Sequence, residues 1–377
     1  GLFCAEILIK LSLIMLGLSL IVMLFAPLVT KALAFGFSPE TIALAVPLVR
    51  INFWYLLAIF IVTLLSALLQ YKNHFATTAF STALLNISMI TALLLALNLD
   101  QKSAAMYLSW GVVAGGMLQV LSHIIALKRL NLLRLLNLGI VKFVKGKRAK
   151  AKGFWQNFGH GIIGSSANQL SDFISTFIAS FLATGAISYL YYANRIFQLP
   201  LALFAIALST AIFPKIAKEI KSKNDRKAIN LLKKSFSLLF FLLIFSTIGG
   251  FVLANEIIWL LFQRGEFNTN NTIESAKVLQ MYMLGLLPFG LYKLFSLWLY
   301  AKMQQKIAAK IAIYSLFINT ALCLLLFKPL GASGLALAGS ISGLFLLGYA
   351  IFVFGIRQFL DIIFNRINLI TIILAVI

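Results

Sequence analysis

The sequence predicts an all-α polytopic membrane protein. It is expected to hold two pseudo-repeated six-helix lobes around a central cavity, followed by extra C-terminal helices. Composition, the length of the apolar runs and an internal repeat carry that expectation. Of 377 residues, 61% are hydrophobic and 11% are charged, against about half and about a quarter in soluble domains. A helix needs about 20 apolar residues to cross a hydrocarbon core about 30 Å thick, and runs of that length recur with short polar breaks. Unpaired backbone groups are not tolerated in lipid, so each run is expected to be a helix.

The spans fall at about 7–33, 41–70, 75–98, 103–128, 158–183, 187–214, 232–262, 274–301, 306–327, 332–357 and 363–377, the last incomplete. The chain opens on Gly1 beside an apolar run and stops inside another, "INLITIILAVI". It is therefore expected to be a fragment of a longer protein.

The net charge is +22. In a soluble protein this would suggest nucleic acid; here basic residues are expected to hold loops on the cytoplasmic side. Loops near 72, 128–157, 215–234, 302–310 and 357–366 carry most of the 32 Lys and Arg residues. The alternate side holds only Lys31, Lys102, Arg264, Lys277 and Lys328. Cys4 and Cys323 form no disulfide framework, and His74, His123 and His160 form no zinc motif.

The segment 129–157 interleaves leucines with arginines and ends in a Lys/Arg-rich run. It is expected to lie on the anionic cytoplasmic leaflet as an interfacial linker. It divides the chain into an N-lobe, 1–128, and a C-lobe, 158–357, with 358–377 starting a further helix.

The halves repeat. "FAPLVTKALAFGF" (25–37) matches "LANEIIWLLFQRGEF" (253–267) in layout, and 65–96 resembles 295–327, placing Asn86 opposite Asn319. "SWGVVAGGMLQVL" (109–121) resembles "ALAGSISGLFLLG" (336–348). Counterparts of the two spans in 158–215 would precede residue 1. The covered chain is thus expected to hold helices 3–12 and the start of helix 13, lacking the first two helices and the C-terminal end. Parallel repeats of this kind are a transporter architecture, with the substrate site near the midplane.

Charged residues inside spans mark that site, because a charge at the bilayer centre costs about 2.5–3.5 kcal/mol on insertion scales. Arg195 stands with Asn194 and Gln198 in "YANRIFQLP", and Pro200 is expected to kink the helix and act as a hinge. Asp172 follows the polar run Ser165, Ser166, Asn168, Gln169 and Ser171. It could be a counter-charge for an arginine, a cation ligand or a structural partner. Arg50, near Asn52, Trp54 and Tyr55, and Lys293, beside Tyr292, are further wall candidates. Lys10 is expected to snorkel; Trp259, Tyr282 and Trp298 are expected to be belt or packing residues. The balance is basic, which suits anions, and arginine suits phosphate through its bidentate fork.

"YLYYANRIFQLPLALFAIALSTAIFPKIAK" resembles the eighth helix of the lipid II flippase family (MurJ/MviN). "NQLSDFISTFIASFL" resembles its seventh, "LLFQRGEFN" the turn after its ninth, and "FAPLVTKALAFGF" the end of its third. The resemblance covers nearly the whole chain. It implies the fourteen-helix exporter fold of the multidrug/oligosaccharidyl-lipid/polysaccharide superfamily, in a multi-pass protein of the bacterial inner membrane. It implies an undecaprenyl-pyrophosphate-linked peptidoglycan precursor, lipid II, as substrate for cell-wall biogenesis. Its pyrophosphate would meet arginines in a central cavity, and Arg195 matches the eighth-helix arginine. Some members carry acidic sodium ligands near the seventh and eleventh helices; here the eleventh offers Asn319 and Cys323 without an acid.

The expected function is alternating-access flipping of lipid II, working as a monomer, with no nucleic-acid partner and no cofactor. Flipping of another polyprenyl-pyrophosphate-linked oligosaccharide is the first alternative. A cation or drug antiporter of the same fold would need acidic cavity residues, and Asp172 is one. A glycosyltransferase or ligase would need clustered carboxylates, whereas the outer loops offer Glu40, Asp100, Glu266 and Glu274 unclustered. A scaffold would need no charges at the midplane.

Overall fold

The structure, a computed structural model, describes residues 1–149, 155 and 169–376. The chain divides into two compact units, Gly1–His160 and Gly161–Ile377.

In the first unit, α1 (Leu2–Leu24) and α2 (Ala26–Leu33) form one broken span, followed by α3 (Pro39–Tyr71), α4 (Ala76–Leu95), α5 (Gln101–Arg129) and α6 (Leu132–Val144). α5 packs on α3 and α4, and α1 packs on α3 and α6. Glycines set the closeness of these contacts: a Cβ at Gly116 would stand 2.8 Å from the Tyr55 ring and 2.9 Å from Ala58. Large apolar side chains cover the outside, Leu24 at 75% exposure and Leu95 at 70% among them. Such a surface suits hydrocarbon, where an exposed leucine carries no hydration penalty.

In the second unit, α7 covers 169–179. α8 (Ala186–Lys221) follows, then α9 (Asp225–Val252) and α10 (Ala254–Phe262), α11 (Thr269–Ala301), α12 (Gln305–Phe354), α13 (Ile356–Ile363) and α14 (Arg366–Val376). α11 is the hub, touching α8, α9, α10 and α12. It buries Leu279, Met283, Leu286, Leu291 and Leu294. Trp298 is buried edge-on against Phe354 at 5.4 Å, and Tyr282 stacks on Phe197 at 5.5 Å, so both serve packing. Trp259 is 55% exposed, as a belt residue would be.

The expected spans 306–327 and 332–357 run together as α12, broken at Gly331 with φ 58° and ψ −136°. That conformation is open essentially to glycine alone. Eight described helices are long and apolar enough to cross a membrane, and α13 with α14, bent by 67°, makes up to nine. The expected span 158–183 lies mostly outside the described residues.

The internal repeat is written in backbone angles. The first broken span turns at Phe25 with φ −100° and ψ 22°, the second at Leu253 with φ −92° and ψ 18°. α3 and α11 are each 33 residues long. Each is N-capped by a side chain, Ser38 accepting from the Thr41 amide and Asn268 from the Asn271 amide. Each is followed by a left-handed residue, Asn73 at φ 57° and Met303 at φ 58°.

Candidate functional site

α8 is two-sided. Ala186, Leu190, Ala193 and Phe197, at helical spacing, are buried. On the other side Tyr191, Arg195 and Gln198 are exposed, with Asn194 half-buried beside them. Arg195 lies over the Tyr191 ring at 4.7 Å and donates from Nη2 to the Tyr191 hydroxyl at 3.1 Å. An exposed cation–π contact of this kind contributes about 0.5–1 kcal/mol. It fixes the stem of the side chain and leaves further N–H donors for an anion. Among the described residues no acid forms an ion pair with Arg195.

Pro200 does not break the helix. A proline lacks the N–H that would bond four residues back, and the chain answers with a π-helical turn, Leu201–Ile206, before α-helix resumes at Ala207. The Ala207 amide reaches back to the Ala202 carbonyl, five residues earlier. Widened turns of this type occur frequently at functional sites.

Asp172 is exposed on α7, and its backbone carbonyl accepts from the Thr176 hydroxyl at 2.9 Å. No described cation pairs with its carboxylate. The polar run around it divides. Ser171 accepts from Asn319 Nδ2 at 2.9 Å, and Ser175 lies 3.9 Å from Cys323 Sγ, so that side is helix packing against α12. Asn319 keeps a buried, unpartnered Oδ1. Gln169 and Asp172 are exposed. Asn168, expected at the same site, lies outside the described residues, as do Ser165 and Ser166. The described donors here are hydroxyls, one amide and one thiol with a single acid, which is not a paired-acid sodium set. Lys293 is half-buried on α11, with no acid paired to it among the described residues.

In the first unit Arg50 is exposed on α3. Its neighbour Asn52 is committed to structure, donating to the Leu48 carbonyl at 2.9 Å and to Ser109 Oγ at 3.0 Å. Deeper in, Tyr55 donates to Gln119 Oε1 at 3.4 Å, and Gln119 Nε2 to the Ser81 carbonyl at 2.9 Å. His123, fully buried, sits between Ser66 Oγ and the Gln119 carbonyl, each at 2.8 Å. Nδ1 facing a carbonyl must carry the proton, so Nε2 accepts from Ser66.

Lys10 reaches back toward the start of α1. Its ammonium pairs with Glu6 at 2.5 Å, and the other Glu6 oxygen accepts the Ala149 amide at 2.7 Å. Glu6 is only 2% exposed, and a buried carboxylate is stable only when its oxygens are paired. Sequence reasoning passed over Glu6, although its four-residue spacing from Lys10 is a helix ion-pair signal.

Repeated helical units whose apolar helices are long enough to cross a membrane define a polytopic membrane protein of this fold. The solved structure of an inward-facing multidrug resistance MATE family transporter of the MOP superfamily has the same fold. It matches at a TM-score of 0.73 and 14% identity, over 95% of this chain and 80% of that one. Within this class the chain belongs to the lipid II flippase MurJ family, whose model matches residues 2–377. The probable lipid II flippase MurJ of Helicobacter pylori (strain ATCC 700392 / 26695) is 50% identical over 346 residues, which is 89% of this chain and 75% of that protein. The solved lipid II flippase MurJ in its inward closed conformation superimposes with a TM-score of 0.76 at 26% identity. That match covers 99% of this chain and 76% of the other.

Proposed function

We propose that this protein flips lipid II from the cytoplasmic to the periplasmic leaflet of the bacterial inner membrane by alternating access. Membership of the MurJ family over residues 2–377 is the observation that carries the substrate. The protein is a multi-pass transporter of cell-wall biogenesis, not an enzyme. Arg195 holds the pyrophosphate, two charge-assisted N–H donors matching two phosphate oxygens. Its π-stacked, hydrogen-bonded pose on Tyr191 supports that role. Asn194, Gln198, Arg50, Lys293, Asp172 and Asn168 complete the substrate-binding set, the cations drawing the anion and the amides meeting the sugar. Pro200 and the π-turn after it are the hinge of α8, because that backbone has already given up its regular bonding. An inside-negative potential favours outward movement of a negative headgroup by about 2.3 kcal/mol per charge per 100 mV.

The protein works as a monomer. Its linker, expected over 129–157 and described over 129–149 and at 155, rests on anionic lipid. α6 supports this reading: Leu132 and Leu136 are buried, while Leu135, Leu138 and Val144 are exposed beside basic residues. The test is complementation of cells depleted of their own lipid II flippase. The full-length protein is expected to restore growth and Arg195→Ala to fail. Growth with the alanine variant would remove Arg195 from the site. Failure of the unmodified protein would move the substrate to another polyprenyl-pyrophosphate-linked oligosaccharide.

A further inference from the structure

Tyr191 holds Arg195, and Tyr191 is itself held. Its ring stands edge-on to Tyr192 at 5.9 Å. Tyr192 in turn meets Phe262, at the end of α10, at 4.8 Å, and Phe267, in the turn before α11, at 5.3 Å. Phe262 and Phe267 lie 6.1 Å apart, so the Tyr192 ring closes a three-ring cluster. Centroid separations of about 4.5–7 Å are those of attractive aromatic pairs. One turn earlier on the same side of α8, the Tyr189 hydroxyl donates to Asn271 Oδ1 on α11 at 3.0 Å.

The turn that carries these contacts is fixed by its own side chains. The Thr272 hydroxyl donates to Gln263 Oε1 at 2.7 Å, and Gln263 Nε2 to the Thr269 hydroxyl at 3.3 Å. Asn271 Nδ2 donates to the Glu266 carbonyl at 3.3 Å, so one side chain ties the turn and α8 together. Gly265 supplies the left-handed corner at φ 58°. At the start of α8, a Cβ on Gly185 would stand 2.8 Å from the Tyr189 hydroxyl. On the other side of Arg195, the π-turn Leu201–Ile206 gives up the regular ladder. Such bulges are where helices kink. The pose of Arg195 is therefore set from the 262–271 turn and not from the inner half of α8.

We infer that Tyr192 is a positioning residue for Arg195. The 262–271 turn holds Tyr192, Tyr192 holds the Tyr191 ring, and that ring holds the guanidinium. The inference rests on the reading of Arg195 as the pyrophosphate contact and adds what orients it. A long side chain that is already ordered loses less freedom when an anion arrives. The relay thus raises affinity although Tyr192 acts only through its neighbours.

Equilibrium binding of lipid II to the purified full-length protein tests this, in a cycle of the unmodified protein, Tyr192→Leu, Arg195→Ala and the double variant. Tyr192→Leu is expected to weaken binding about fivefold, the cost of ordering one freed side chain. In the Arg195→Ala background it is expected to weaken binding no further. Residual binding by Lys293 and the amides keeps that arm measurable. Tyr192→Phe keeps the ring contacts to Tyr191, Phe262 and Phe267 and should bind as the unmodified protein does. Phe267→Leu, on the turn, should give a smaller loss that also vanishes without Arg195, and it carries the same cycle if Tyr192→Leu fails to fold. An equal loss with and without Arg195 would overturn the proposal, because a packing role does not depend on the arginine. So would unchanged binding in both the Tyr192→Leu and Phe267→Leu variants. Full affinity in Arg195→Ala alone would instead overturn the pyrophosphate reading on which the proposal rests.

Discussion

Arg195 is held by Tyr191 one helical turn earlier, and this local pairing gives sharp expectations. Arg195→Lys keeps the charge but loses the fork and the stacking plane. Transport is expected to fall well below the unmodified rate without loss of folded protein, read as complementation against membrane abundance. Tyr191→Phe keeps the ring and loses only the hydroxyl contact, so it should be milder than Arg195→Lys in the same assay. The His123–Ser66 pair is a different kind of site, fully buried and satisfied. Ser66→Ala leaves Nε2 without a donor, which costs about 1–3 kcal/mol and should appear as a lower thermal unfolding midpoint. Arg195 and Pro200 were legible in the sequence because a charge and a proline stand out in an apolar run. The partners of Ser171 and Glu6 were not, because Asn319 and Ala149 lie 148 and 143 residues away along the chain.

The helices carry their instructions at their ends. Gly331 turns the chain inside α12 with angles no L side chain adopts easily. Gly331→Val is expected to cost about 1–3 kcal/mol, measured by thermal unfolding in detergent. Asp100 caps α5, accepting the Lys102 and Ser103 amides at 3.1 and 3.2 Å. Hydrogen bonding from the Ser103 side chain, and then from its backbone amide, holds the carboxyl below its ordinary value. A lowered folded value means the capping contribution is complete above the unfolded pKa, about 4, and is lost as pH falls through the folded value. The stability difference between the unmodified protein and Asp100→Ala should therefore be constant near neutrality and close in acid. Broken spans at Phe25 and Leu253 were readable only as matching layouts; their near-identical dihedrals come from backbone geometry that no residue type there dictates.

For the whole molecule, membership of the lipid II flippase MurJ family agrees with what composition alone required, a chain that folds in lipid. The fold class was legible because twenty-residue apolar runs admit little except helices, and because the repeat survives in Asn, Gly and turn positions. Under the proposal made above, Arg195 is the residue through which this protein moves lipid II across the membrane. The most direct measurement is the amount of lipid II accessible to a membrane-impermeant probe on the outer leaflet of flippase-depleted cells. Expression of the full-length protein is predicted to restore that outer pool, and Arg195→Ala at equal abundance to leave it near the depleted level. An outer pool that stays at the depleted level with the unmodified protein would rule out lipid II flipping, and full restoration by the alanine variant would remove Arg195 from the site.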